Sequence, residues 1–154
     1  MSINEQHSYD VKITWKEGRR GRMQSSVLND VIDVATPPEF PGGVEGVWSP
    51  EHLFTASVSS CFLSSFLAIS EYSKLDFDDI VVNSEGIMSK TDGKFIMSKI
   101  ILQPVLTISD AKFEAKAYRL LEKAEQICLI TRSIKSEIVF EPKVHVLAKE
   151  SAIV

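Results

Sequence analysis

Two cysteines, a cluster of arginines around one turn and an isolated glutamate are the residues of this chain whose types could do chemistry. Cys61 lies in "WSPEHLFTASVSSCF", which reads as the first turns of a helix: Ser49 suits the cap, Pro50 the first position and Glu51 the first turn. Beyond Glu51 there is no charged residue as far as Ile69. A nucleophilic thiol must be a thiolate, and dry surroundings oppose that charge. The helix dipole fades after the first turn, so a third-turn cysteine needs a nearby cation to ionise. The competing reading is a small buried hydrophobe.

"EGRRGR" offers Arg19, Arg20 and Arg22. Either it is a solvated hairpin tip, or one guanidinium folds inward, where it stays charged and its fork can bind a sulfur and a carboxylate together. Glu51 stands ten residues before Cys61, about 15 Å of helical rise, so it cannot touch that sulfur along its own helix. It is a favourable first-turn charge, a holder of an arginine, or part of a site made with a second chain. Cys128 falls where a second helix should end, and there the dipole opposes thiolate formation. This asymmetry suits a pair in which Cys61 attacks and Cys128 resolves, although sequence separation alone does not bring two sulfurs together.

Other chemistries find little support. The 154 residues are 44% hydrophobic and 25% charged, as expected of one globular domain with a real core. A net charge of -4 argues against a nucleic-acid partner. His7, His52 and His145 share no metal-ligand spacing with the cysteines, and "PGG" at 41–43 lacks the context of a phosphate loop. Neither a metal nor an organic cofactor is expected. The apolar stretches look too short and too interrupted to cross a bilayer, and the polar start "MSINEQHSYD" points to the cytoplasm.

The elements that must position these residues follow from periodicity. "YDVKITW" alternates Val11, Ile13 and Trp15 as a half-buried strand. "KEGRRGR" turns the chain, and "MQSSVLNDVIDVAT" gives two short strands joined near Asn29 and Asp30. Residues 36–50, with four prolines and three glycines, form an ordered loop long enough to cover a site or lie against a partner. The helix from Pro50 to Ser73 carries Phe54, Val58, Phe62 and Phe66 at intervals of four and is apolar almost all round. It is expected to be buried on all sides, which in so small a chain calls for dimerisation. A hairpin turns at Asp92-Gly93, with Ile96, Ile100, Leu102, Leu106 and Ile108 on one face of its second strand. Ser109 or Asp110 caps the second helix, and "EIVFEPKVHVLA" is a final strand. The order of three strands, helix, two strands, helix and strand defines an α+β fold with an antiparallel-rich sheet, in a single domain with its core at about 9–148.

These motifs resemble the OsmC/Ohr family, the osmotically inducible proteins and organic hydroperoxide reductases. "SPEHLFTASVSSCF" resembles the family's Pro-Glu-x-Leu segment leading to Cys-Phe, "AEQIC" the second-cysteine segment, and "EGRRGR" the turn whose first arginine is catalytic in the Ohr branch. Leu129 stands where many relatives carry proline. The resemblance implies a thiol peroxidase working as an intertwined homodimer. Cys61 would be the peroxidatic nucleophile, Cys128 the resolving thiol in a Cys61–Cys128 disulfide, Arg19 the thiolate stabiliser and Glu51 its orienting partner. Phe54, Phe62 and Trp48, with Phe66, would line an apolar approach for organic hydroperoxides. An external dithiol, lipoyl or similar, would return the disulfide to thiols. A non-catalytic dimer binding a hydrophobic ligand, and a redox sensor without rapid turnover, are the alternatives.

Overall fold

The computed structural model describes residues 5–148. Its chain forms two compact units, Met1–Leu53 and Phe54–Val154.

In the first unit, strands β1 (Lys12–Glu17), β2 (Arg20–Gln24) and β3 (Ile32–Ala35) make an antiparallel sheet in that order. The turn between β1 and β2 is Gly18-Arg19, with Gly18 at φ 50. Arg20 and Arg22 therefore belong to a strand, not to the tip expected from sequence. The register puts Ile13, Trp15, Gly21, Met23, Ile32 and Val34 on one sheet face. That face is apolar yet open: Ile13 is 57% and Trp15 73% exposed, which corrects the half-buried reading of β1. The segment joining β2 to β3 is organised by Asp10, whose carboxylate accepts hydrogen bonds from the Ser26 amide (2.9 Å) and from the Ser25 and Ser26 hydroxyls.

The Pro/Gly-rich loop is ordered, as expected. The Phe40 amide donates to the Pro37 carbonyl, that of Gly43 to Phe40 and that of Val44 to Thr36. A Cβ at Gly43 would collide with the Pro37 carbonyl, so this close approach requires glycine. The Ala35 amide donates to the Trp48 carbonyl at 2.9 Å and ties the end of the loop to β3.

Helix α1 spans Pro50–Tyr72. The Ser49 hydroxyl caps it by accepting from the His52 amide at 3.2 Å, while the Leu53 amide closes the first turn on the Ser49 carbonyl. With no glycine at its end, α1 stops through Lys74 at φ 55, the Leu75 amide reaching back to the Ser70 carbonyl. Its 23 residues meet the length and composition of a membrane-crossing helix, contrary to the expectation above. The serines interrupt this less than their polarity suggests, since Ser57, Ser59 and Ser70 return their hydroxyls to carbonyls of the preceding turn.

In the second unit, Val58, Phe62 and Phe66 of α1 are fully buried and form the core with β5 and α2. Ser60, Ser64, Leu67 and Ala68 are exposed, so in the single chain α1 is not buried on all sides. Strands β4 (Asp79–Thr91) and β5 (Lys94–Ile108) form the expected hairpin. Asp92 and Gly93 both have positive φ, 51 and 75, as a type I′ turn requires. A bulge leaves Ser98 outside the residue-to-residue register with β4, its hydroxyl donating to the Ile87 carbonyl, and shifts the alternation by one. Ile100, Leu102, Leu106 and Ile108 face the core as expected, whereas Ile96 is turned out, 40% exposed, and Met97 packs inward instead.

Asp110 caps a 3-10 turn, Ala111–Phe113, by accepting from the Lys112 amide; helix α2 (Glu114–Ile127) follows. Its Ala117, Leu120, Leu121 and Ala124 are buried. A short helix unread in the sequence, α3 (Leu129–Ser133), comes next. The last strand is two, β6 (Glu137–Phe140) and β7 (Lys143–Val146), both parallel to β5 along the same edge. Glu141 and Pro142 break the run, though the Glu141 amide still donates to the Leu102 carbonyl at 2.9 Å. The Tyr118 hydroxyl of α2 accepts from the Val144 amide at 3.1 Å and pins β7.

Candidate active site

Helix α1 carries Cys61 and, one turn later on the same face, Ser65. Helix α2 ends at Ile127, and Cys128, at φ -60 and ψ 116, redirects the chain into α3. The two cysteines, 67 residues apart in sequence, thereby meet. Both are free thiols close enough to shift each other's acidity, Cys61 half-buried and Cys128 buried.

Their acidities differ. Burial pushes the Cys61 thiol up, but the Ile130 amide, the Cys128 thiol, the Leu129 amide and the Ser65 hydroxyl more than offset this and leave it below the usual thiol range. Burial also pushes Cys128 up. The Thr131 amide and hydroxyl oppose the rise, while the bond to Cys61 and the charge on that sulfur reinforce it. Cys61 is thus the more acidic thiol and Cys128 the one that keeps its proton. The asymmetry expected from sequence is present, with a different cause: burial and the neighbouring sulfur hold Cys128 protonated.

This difference predicts selective modification. With limiting iodoacetamide, Cys61 should be alkylated first, at a pH below that of an ordinary thiol, with Cys128 lagging. Peptide mass spectrometry over roughly pH 5 to 9 would read both rates, and equal rates would contradict the assignment.

The other candidates divide between the two units. Arg19, Glu51 and Trp48 belong to the first, and Phe54 and Phe62 to the second. Arg19 is exposed at the β1–β2 turn, its side chain lying across the loop so that a Cβ at Gly42 would be 3.0 Å from its Cγ. With Arg20, Trp15 and Ile13 it lines a cavity of about 450 Å³ within that unit. Arg22 instead pairs with Asp33 at 3.3 Å. Glu51 sits in the first turn of α1 with its Oε2 shielded from solvent. Trp48 is 53% exposed and meets His52 edge-on at 6.0 Å, beside a cavity of about 350 Å³ that both residues line. The Ser49 hydroxyl and His52 Nδ1 are 2.7 Å apart.

Phe62 corrects the expected pocket. It is fully buried, stacked on Phe66 and tilted against Phe140, and so supports the core rather than an open approach. Phe66 is likewise fully buried, and Phe54 packs against the same core while only partly buried. Sequence reasoning missed Ser65, Leu129 and Ile130. The helical spacing of Ser65 from Cys61 was visible; the two amides depend on α3, for which no signal was read.

Residues 43–143 match the family described as OsmC-like protein, and the chain belongs to that family. It is 31% identical over 137 residues to an uncharacterised Bacillus subtilis protein, YmaD, covering 86% of this chain and 89% of that one. It is 28% identical over 141 residues to organic hydroperoxide resistance protein-like 2 of Staphylococcus saprophyticus, covering 90% and 96%. Among solved structures, an OsmC-like protein of unknown function from Vibrio cholerae gives a TM-score of 0.79 at 23% identity, covering 89% of this chain and 99% of the other. These likenesses bear out the α+β OsmC-like fold read from the sequence.

Proposed function

We propose that this chain is a hydroperoxide reductase in which Cys61 attacks and Cys128 resolves. Family membership suggests a hydroperoxide-related redox role. The observation that carries the finer reading is the proximity of two free thiols of unequal acidity. The Cys61 thiolate attacks the terminal peroxide oxygen. A sulfur–oxygen bond forms as the oxygen–oxygen bond breaks, and the departing alkoxide takes a proton to become the alcohol. Cys61 is left as a sulfenic acid. The Cys128 thiol condenses with it, giving the Cys61–Cys128 disulfide and releasing water, and an external dithiol of lipoyl type returns both thiols.

In this reading Arg19 and Glu51 complete the site as guanidinium and orienting carboxylate, and Trp48 with Phe54 favours organic over inorganic peroxides. The two units act together as one OsmC-like domain in a cytoplasmic homodimer. The exposed Ser60, Ser64, Leu67 and Ala68 of α1, and the open apolar face of the first sheet, support the dimer.

One equivalent of an organic hydroperoxide, followed by non-reducing peptide mass spectrometry, tests the assignment. A Cys61–Cys128 crosslink formed in step with alcohol production is the expected result. Alcohol formed with no such crosslink would refute Cys128 as the resolving thiol, and no alcohol at all would refute the enzyme.

A further inference from the structure

The unequal burial of the two cysteines carries an inference that rests on the Cys61–Cys128 disulfide proposed above. We propose that the external dithiol attacks this disulfide at the Cys61 sulfur, so that Cys61 is the electrophile of the reductive step as well as the nucleophile of the oxidative one.

Cys128 has no exposed surface, whereas Cys61 is only half-buried. A thiolate must approach a disulfide sulfur in line with the S–S bond, from the side away from the other sulfur, so access helps decide which sulfur is attacked. Around Cys128 that approach passes through protein. The chain also holds Cys128 in place at both ends of its backbone. Its amide donates to the Glu125 carbonyl at 3.3 Å, and its carbonyl accepts from the Thr131 hydroxyl at 3.0 Å and the Arg132 amide at 3.3 Å. Turning Cys128 out to solvent would break these bonds and open α3. Cys61 needs no such opening. A hydroperoxide must already reach its sulfur in the first step, and the same path serves the reductant.

Acidity pulls the other way. Cys61 is the more acidic thiol and would be the better leaving group if Cys128 were attacked. A leaving-group difference scales a rate, whereas burial removes the approach itself, and access therefore decides. The reduction then runs in two stages. A reductant thiolate bonds to the Cys61 sulfur as the Cys61–Cys128 bond breaks; the electron pair goes to Cys128, which takes up a proton. The second reductant thiolate attacks the reductant sulfur of this mixed disulfide, expels Cys61 as the thiolate the next cycle needs, and leaves the reductant as a cyclic disulfide.

A monothiol, which stops at the mixed disulfide, provides the test. Protein oxidised with one equivalent of an organic hydroperoxide is mixed with 2-mercaptoethanol, quenched in acid over a time course and digested for non-reducing peptide mass spectrometry. The early adduct should lie on Cys61, in at least about tenfold excess over Cys128. An early adduct equally or mainly on Cys128 would overturn the inference and leave the disulfide standing. Failure of the hydroperoxide to link Cys61 to Cys128 would overturn the reading beneath it. Should the adduct turn over too fast to collect, reduction by dithiothreitol in up to about 1 M urea, below the unfolding transition, decides. Attack at Cys61 keeps that rate within about twofold of its value in buffer, and a rate climbing steeply with urea would mean that α3 must open first and would overturn the inference.

Discussion

Cys61→Ser should remove hydroperoxide reduction almost entirely, by on the order of a thousandfold or more. A serine hydroxyl stays protonated near neutrality, and its oxygen is a poorer nucleophile toward peroxide oxygen than a thiolate. The donors around position 61 sharpen the contrast. The Leu129 and Ile130 amides, the Ser65 hydroxyl and the Cys128 thiol favour an anionic sulfur and give a neutral hydroxyl no comparable advantage. Steady-state consumption of an organic hydroperoxide with a dithiol reductant measures the loss. Cys128→Ser should behave differently: with no dithiol present it should reduce about one equivalent and leave a Cys61 sulfenic acid that a 1,3-dione traps. Consumption by Cys61→Ser at wild-type rate would place the chemistry elsewhere or end the peroxidase reading.

The second large effect concerns stability. Phe62→Ala should cost about 3–5 kcal/mol, read as a shift in the denaturant midpoint at constant slope. Phe62 is fully buried between Phe66 and Phe140, and the β-sheet and helices behind them leave little room to collapse into the gap. Domains of this size are stable by about 5–15 kcal/mol, so the variant should be close to unfolding at physiological temperature. Trp48→Ala, removing a side chain 53% exposed, should cost less than about 1 kcal/mol. Comparable losses at both positions would mean that exposure is a poor guide to their work.

Local signals explain what the sequence made legible. The cap at Ser49, proline at the first helical position and the interval-of-four phenylalanines placed α1 within a residue at its far end. Asp-Gly placed the β4–β5 turn because few other pairs accept two successive positive φ angles. Long-range partners explain most of what was hidden. The bulge at Ser98 reverses alternation without altering composition, so Ile96 looked like core. Helix α3, with five residues, is too short to form by propensity and exists through its tertiary setting. Its amides therefore could not be foreseen, and an arginine was the natural candidate to ionise Cys61. Leu129 was legible only as a departure from relatives at a helix end; in the structure it opens α3.

The pairing of β5 has a consequence for synthesis on the ribosome. One of its edges meets β4 across a tight turn, but the other waits for β6 and β7, some thirty residues later. Until those residues emerge, the nascent chain presents Ile100 to Ile108 with unpaired amides and carbonyls, a template for another strand. Chaperone demand should therefore concentrate in the final stretch of translation, and premature termination before Glu137 should yield aggregates rather than a smaller folded protein.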